Sequence, residues 1–102
     1  MRSFALATIE DRIQRLEDRA ELQDLVATYF QATDDDDYGR LGDCFTSDAT
    51  FAASGFPASN GRHGIIDLLR SARAGMGQTV HTPNYVQLNF ADNNSATGAV
   101  SA

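Results

Sequence analysis

Two histidines, one cysteine and the acidic run "TDDDDYGRL" are the places in this chain where side chains could move a proton or hold a cation. His81 lies in "QTVHTPNY" and His63 opens "HGIIDLLR". A neutral imidazole is a competent base for a C–H proton beside a leaving or electron-withdrawing group. A carboxylate on its other nitrogen would fix the tautomer and stabilise the imidazolium that forms. The plainer reading of a lone strand histidine is a hydrogen-bonded structural residue. For His63 that plainer reading is stronger, because a helix N-terminus disfavours a protonated imidazole and the residue sits beside Arg62 and Gly64 as an exposed first-turn position.

The four consecutive aspartates, Asp34 to Asp37, raise the question of which of them has a task. Asp34 follows Phe30 by four residues, which puts it at the margin of an apolar helical stripe. Periodicity permits it to face inward but does not single it out. Asp37 is suited to cap a following helix, which leaves Asp35 and Asp36 without a structural role and solvated. The run lacks the alternating ligands, the glycine turn and the closing glutamate of a calcium loop. The sequence also has no HxH, HExxH or CxxC spacing, so no metal or other cofactor is expected. Cys44, flanked by Leu41 and Phe45, reads as a small core residue rather than a nucleophile.

A length of 102 residues corresponds to one small domain, residues 1–102. With 42% hydrophobic and 22% charged residues the composition is that of an ordinary soluble globular protein. A net charge of −6 repels phosphate backbones, so nucleic acid is not an expected partner. No apolar run is long enough to span a bilayer. "MRSFALATIEDR" turns acidic before a signal-peptide core can form, and the expected location is the cytoplasm.

Elements that must position these residues follow from periodicity. Ile9, Ile13, Leu16 and Ala20 make one apolar stripe; Leu22, Leu25, Val26, Tyr29 and Phe30 make a second, out of phase with the first. Thr8 with Asp11, and Asp18 with Glu21, each resemble a capping box. The spacing therefore predicts a short helix and then a longer one over about residues 19–33. A third, short helix carries Tyr38, Leu41 and Phe45. "DATFAAS" is a strand candidate, "GFPASNGR" a loop, "HGIIDLLRSAR" a helix closed by "AGMG", and residues 79–90 a long strand. "DNNS" turns a hairpin into "ATGAVSA". A hairpin this narrow is marginally stable by itself. The sequence is thus expected to be shorter than the domain it comes from, or to be completed by a second copy pairing through the sheet, with Val86, Leu88 and Phe90 among the residues left exposed.

"RAELQDLVATYFQATDDDDYGRLGDCFTSDATF", the "G-R-x-G-I" helix start and "H-T-x-N-Y-x-Q-L" together resemble the SnoaL-like branch of the nuclear transport factor 2-like superfamily. The resemblance is strongest to its hexachlorocyclohexane dehydrochlorinases, with scytalone dehydratases less close. It implies an α+β fold, a cone-shaped, curved mixed β-sheet packed with N-terminal helices and truncated at the C-terminus. It further implies a catalytic pair of His81 as base and Asp34 as its orienting partner, with Tyr29, Phe51, Met76 and Thr79 lining the pocket. The implied function is a small cofactor-independent lyase, dehydratase or isomerase for a hydrophobic cyclic or polyketide-like molecule. The alternative is a non-catalytic module that binds a small ligand or dimerises. Two departures stand out. Ala53 occupies the position where ketosteroid isomerases of the superfamily carry a base aspartate, and Tyr29 the position where the dehydrochlorinases carry a lysine.

Overall fold

The computed structural model describes residues 8–101, so the stretch up to residue 7, part of the segment weighed above as a signal peptide, lies outside the described residues. The elements are α1 (Ile9–Asp34), α2 (Tyr38–Asp43), β1 (Thr50–Phe51), β2 (Ser59–Asn60), α3 (Arg62–Arg73), β3 (Gln87–Phe90) and β4 (Ala96–Ala99). Helices combine with two antiparallel ladders, which is the expected α+β class. The chain gathers into two compact units, one running up to Val26 and resuming at Pro83, the other Ala27–Thr82.

Thr8 and Asp11 open α1 as a reciprocal capping box: the Thr8 N–H donates to Asp11 Oδ2 at 3.3 Å and the Asp11 N–H to Thr8 Oγ1 at 3.1 Å. The break expected near residue 19 does not occur, and one helix of 26 residues replaces the two. Asp18 does not cap; its Oδ1 accepts from Gln14 Nε2 at 2.9 Å along the helix surface. The change of phase has a different cause. The first stripe is unpacked, with Ile9, Ile13 and Leu16 at least half exposed, whereas in the second Leu22, Val26, Tyr29 and Phe30 are half-buried and only Leu25 is exposed.

In the first unit, β3 and β4 pair in register from Gln87↔Ala99 to Phe90↔Ala96. The strand expected over residues 79–90 shrinks to its last four residues, because β4 offers ladder partners only to them; one further bond joins the Asn84 N–H to Ser101 O at 2.8 Å. The expected exposure of this strand's apolar side chains is also corrected. Val86 is buried, and Leu88 and Phe90 are half-buried. The α1 residues Leu22 and Val26 and the hairpin residues Val86, Leu88 and Val100 border an apolar recess of about 250 Å³. The Phe90 ring carries the Arg15 guanidinium 4.3 Å from its centroid, a cation–π contact that also covers the ring.

The second unit has its core at Ala32, Leu41 and Ile65, all fully buried. Asp37 caps α2 as expected, accepting from the Arg40 N–H at 3.2 Å. The loop expected over "GFPASNGR" contains a short strand, β2, paired with β1. Gly61 follows it with φ +82°, a left-handed conformation that glycine takes without steric cost, and turns the chain into α3. Arg62 at the start of α3 donates from Nε and Nη2 to Phe45 O, at 3.0 and 2.6 Å, and so ties α3 to the end of α2.

Gly98 in β4 has no room for a side chain. A Cβ there would sit 2.9 Å from Leu88 Cδ2 and 3.0 Å from the Gln87 carbonyl oxygen. Leu88 can shift but the ladder backbone cannot, so Gly98→Ala should lower unfolding free energy by about 1–3 kcal/mol in urea titration. An unchanged denaturation midpoint would show that the hairpin relaxes freely.

Candidate functional site

The end of α1 is where the acidic run acquires structure. Asp36 has φ +53°. Its N–H donates to Thr33 O at 3.2 Å, and the Asp37 N–H reaches back to Ala32 O at 2.9 Å. These two bonds are the pair that closes a helix in the Schellman arrangement, with an aspartate in the left-handed position more often held by glycine. Asp37 then caps α2, so one residue serves the exit of one helix and the start of the next. The turn leaves Asp34 as the last helical residue, its side chain only 14% exposed.

Three bonds converge on the Asp34 carboxylate from residues 79–81. The His81 backbone N–H donates to Oδ2 at 2.6 Å. The Thr79 hydroxyl donates to Oδ1 at 2.7 Å, and His81 Nδ1 lies 2.6 Å from the same oxygen. Partial burial alone would raise the Asp34 pKa. The His81 backbone N–H, the Thr79 hydroxyl and the His81 ring outweigh it and lower the pKa to about 2. An ionised carboxylate only accepts hydrogen bonds, so the proton in the His81–Asp34 contact belongs on Nδ1. Nε2 of a neutral ring is then left with its lone pair free. The imidazole stacks on Phe30, centroids 5.1 Å apart and planes 29° from parallel, which restricts the ring a second way.

Of the residues singled out in the sequence, His81, Asp34 and Thr79 are thus brought into one hydrogen-bonded cluster. Tyr29 lies beside it in an aromatic group, edge-on to Phe30 at 5.3 Å and to Phe45 at 6.0 Å. Burial, with Cys44 nearby, raises its phenol pKa. Phe51 sits half-buried on β1 and Met76 is 56% exposed after the end of α3; both lie outside the cluster. His63 is exposed, as expected. Cys44 donates weakly to Arg40 O at 3.5 Å, and burial, with Asp43 adding, pushes its thiol pKa up, away from nucleophile behaviour.

Asp35 and Asp36 are both exposed as expected, but Asp36 is not idle. Arg73 Nε donates to its Oδ1 at 2.8 Å, and Arg73 Nη2 donates to Thr79 Oγ1 at 3.1 Å. Arg73 escaped sequence reasoning because 37 residues separate it from Asp36; its only local signal was a basic residue in the last turn of a helix. Among the described residues no group of three or more histidine, cysteine or acidic side chains is placed to hold a metal ion.

The chain resembles known proteins over most of its length. Similar solved structures include a hexachlorocyclohexane dehydrochlorinase (LinA) type 2 and a second structure of LinA, each at 27% identity and a TM-score of 0.79. The hexachlorocyclohexane dehydrochlorinase LinA-type3 from Novosphingobium barchaimii LL02 is 25% identical, also with a TM-score of 0.79. Each likeness covers 85% of this chain and 60% of the other, so the chain spans about three-fifths of the length of these relatives. No curated protein sequence matches. The model of the SnoaL-like domain matches residues 14–102, in agreement with the motifs read from the sequence, and the chain belongs to that family.

Proposed function

We infer that the chain carries the proton-transfer half of a small cofactor-independent lyase or dehydratase, with isomerisation the nearest related chemistry. His81 is the general base and Asp34 its orienting partner. The observation that carries this is the Asp34 carboxylate, accepting from Thr79 and the His81 N–H, set against His81 Nδ1. In an elimination, His81 Nε2 takes a C–H proton, the C–H electron pair becomes the new C=C bond, and the leaving group departs from the adjacent carbon with its bonding pair. The imidazolium formed is stabilised by the Asp34 charge. The dehydrochlorinase structures support a hydrophobic cyclic substrate with a halide leaving group; a hydroxyl would depart as water only by taking up the proton that His81 has removed. Tyr29, Phe51, Met76 and Thr79 remain the proposed substrate contacts. Thr79 is the one among them whose hydroxyl already belongs to the His81–Asp34 cluster.

The test is turnover of hexachlorocyclohexane isomers and cyclic β-hydroxyketones, read as chloride release or new alkene absorbance. His81→Ala should cut turnover by about two to four orders of magnitude while ligand-induced NMR shifts persist. Asp34→Asn should cost roughly as much, since the amide can donate to the ring and favour the other tautomer. Turnover that survives His81→Ala would sink the assignment. Ligand shifts without turnover in the unaltered protein would identify a binding module instead.

Acid stability gives a reading that needs no substrate. The folded-state pKa of Asp34 is depressed from 3.8 to about 2, so its contribution is fully present above the unfolded value and disappears as pH falls through the folded one. Between those limits the unaltered protein should lose more stability than Asp34→Asn does. Parallel losses in the two proteins would mean that the carboxylate is not held as described.

Assembly belongs to the same proposal. The outer edge of β4 has no ladder partner among the described residues, and pairing with a second copy would occupy it. Sedimentation equilibrium at micromolar concentration should show self-association, and a monodisperse monomer would remove this part.

A further inference from the structure

Thr79 joins two groups that do not touch one another. Its oxygen accepts from Arg73 Nη2 at 3.1 Å while its hydroxyl faces Asp34 Oδ1 at 2.7 Å. A threonine hydroxyl has a single proton, and a guanidinium has only donors. With Arg73 on the acceptor side, the proton has one direction left, toward the carboxylate. Arg73 is itself fixed. Its side chain is 9% exposed, and its Nε is bound to Asp36 Oδ1 at 2.8 Å. That same oxygen accepts from Tyr38 Oη at 3.3 Å, and the Arg70 guanidinium covers the Tyr38 ring at 4.7 Å. In the order Asp36, Arg73, Thr79, Asp34, His81 the bonds therefore diverge from Arg73, which donates to Asp36 and Thr79, and converge on Asp34, which accepts from Thr79 and His81.

We propose that Arg73 is a positioning residue: braced by Asp36, it orients the Thr79 hydroxyl onto Asp34 and thereby aims the carboxylate at His81 Nδ1. The catalytic sense of this rests on His81 and Asp34 being the proton-transfer pair, but the orientation itself can be read without any substrate. Arginine suits the task because two separate nitrogens of one planar group reach Asp36 and Thr79 in a fixed relation, whereas an ammonium would have to serve both from one nitrogen. The fold reinforces the placement, since Arg73 ends α3, where the helix dipole favours a cation.

The experiment is ring ¹⁵N NMR of the full chain at alkaline pH, where the shifts of a neutral imidazole report which nitrogen holds the proton. The sequence has only two histidines, and exposed His63 serves as the internal reference. The unaltered protein should show His81 as the Nδ1–H form. Arg73→Met and Thr79→Val should each shift it toward a mixture with Nε2–H. Thr79→Ser, which keeps the hydroxyl, should restore the original pattern. Arg73→Met added to Thr79→Val should change nothing further, because the arginine acts through the hydroxyl; additive effects would indicate direct electrostatics and overturn the proposal. An unshifted His81 in Arg73→Met would overturn it as well. Should that variant fail to fold, Arg73→Lys keeps the charge and loses the second contact, and it should show the same mixture; a wild-type signature there counts against the proposal. Turnover that survives His81→Ala would sink the catalytic pair while leaving the tautomer result standing. Unchanged tautomers in an active protein would sink only the role of Arg73.

Discussion

An anion at the C-terminal end of a helix is in the wrong place. The carbonyls there carry the negative end of the helix dipole, and the last turn of α1 has no basic residue to offset it. Asp34 occupies that position and ionises more readily than a free aspartate, so its surroundings must more than reverse the field. They do so with donors from residues 79–81, a stretch outside any ladder whose N–H groups lack strand partners. The Asp34 carboxylate needs donors and the extended segment needs an acceptor, and each meets the need of the other. The position of His81 follows from this exchange, since its backbone N–H and its ring are held by the two oxygens of the same side chain.

The neighbouring aspartates extend the same logic without forming a charge patch. Asp35 has only a loose contact with Arg40 at 3.9 Å, both side chains well exposed, and a pair of that kind contributes little. Asp36 supplies a left-handed backbone that ends the helix and a carboxylate that holds Arg73. Asp37 caps α2. Four identical residues in a row thus meet four environments, because a helix end, a turn and a helix start turn successive side chains toward different parts of the unit. Mutual repulsion, the obvious objection to such a run, is met by splitting the charges between separate donors rather than by gathering them around one cation.

Local chemistry was legible in the sequence wherever a residue's partner lay within a turn of it. The Thr8–Asp11 box, the Asp37 cap, the helix over "HGIIDLLRSAR" and the "DNNS" turn all rest on neighbours three or four positions apart. The family was legible too, through motifs whose order spans most of the chain. The continuity of α1 was not, because Asp18 followed by Glu21 imitates a cap, whereas in the structure the Asp18 side chain accepts from Gln14 and the helix runs on to Asp34. Asp36 as a helix terminator was hidden because glycine is the usual signal for that position. Periodicity left the choice among the four aspartates open and only the resemblance pointed to Asp34, whose partners lie 45 and 47 residues away. Long-range polar contacts of this kind leave no periodic trace.

The second unit has few fully buried side chains, Leu41 and Ile65 being the largest. Apolar burial is non-directional, so a core of this size sets where α2 and α3 pack but says little about where an unpaired segment must lie. Hydrogen bonds are directional, and those at Asp34 and Thr79 define the path of residues 79–81. Charge and backbone path are therefore coupled at this point. The ionised Asp34 carboxylate that puts the shared proton on Nδ1 also accepts from the Thr79 hydroxyl and the His81 backbone N–H, and protonating it would withdraw its charge from all three bonds at once. A site built into a larger apolar core could lose its ionisation and keep its shape. Here the charge of Asp34 is part of the geometry, and Thr79, with Arg73 and Asp36 behind it, joins the imidazole in one hydrogen-bonded cluster around it.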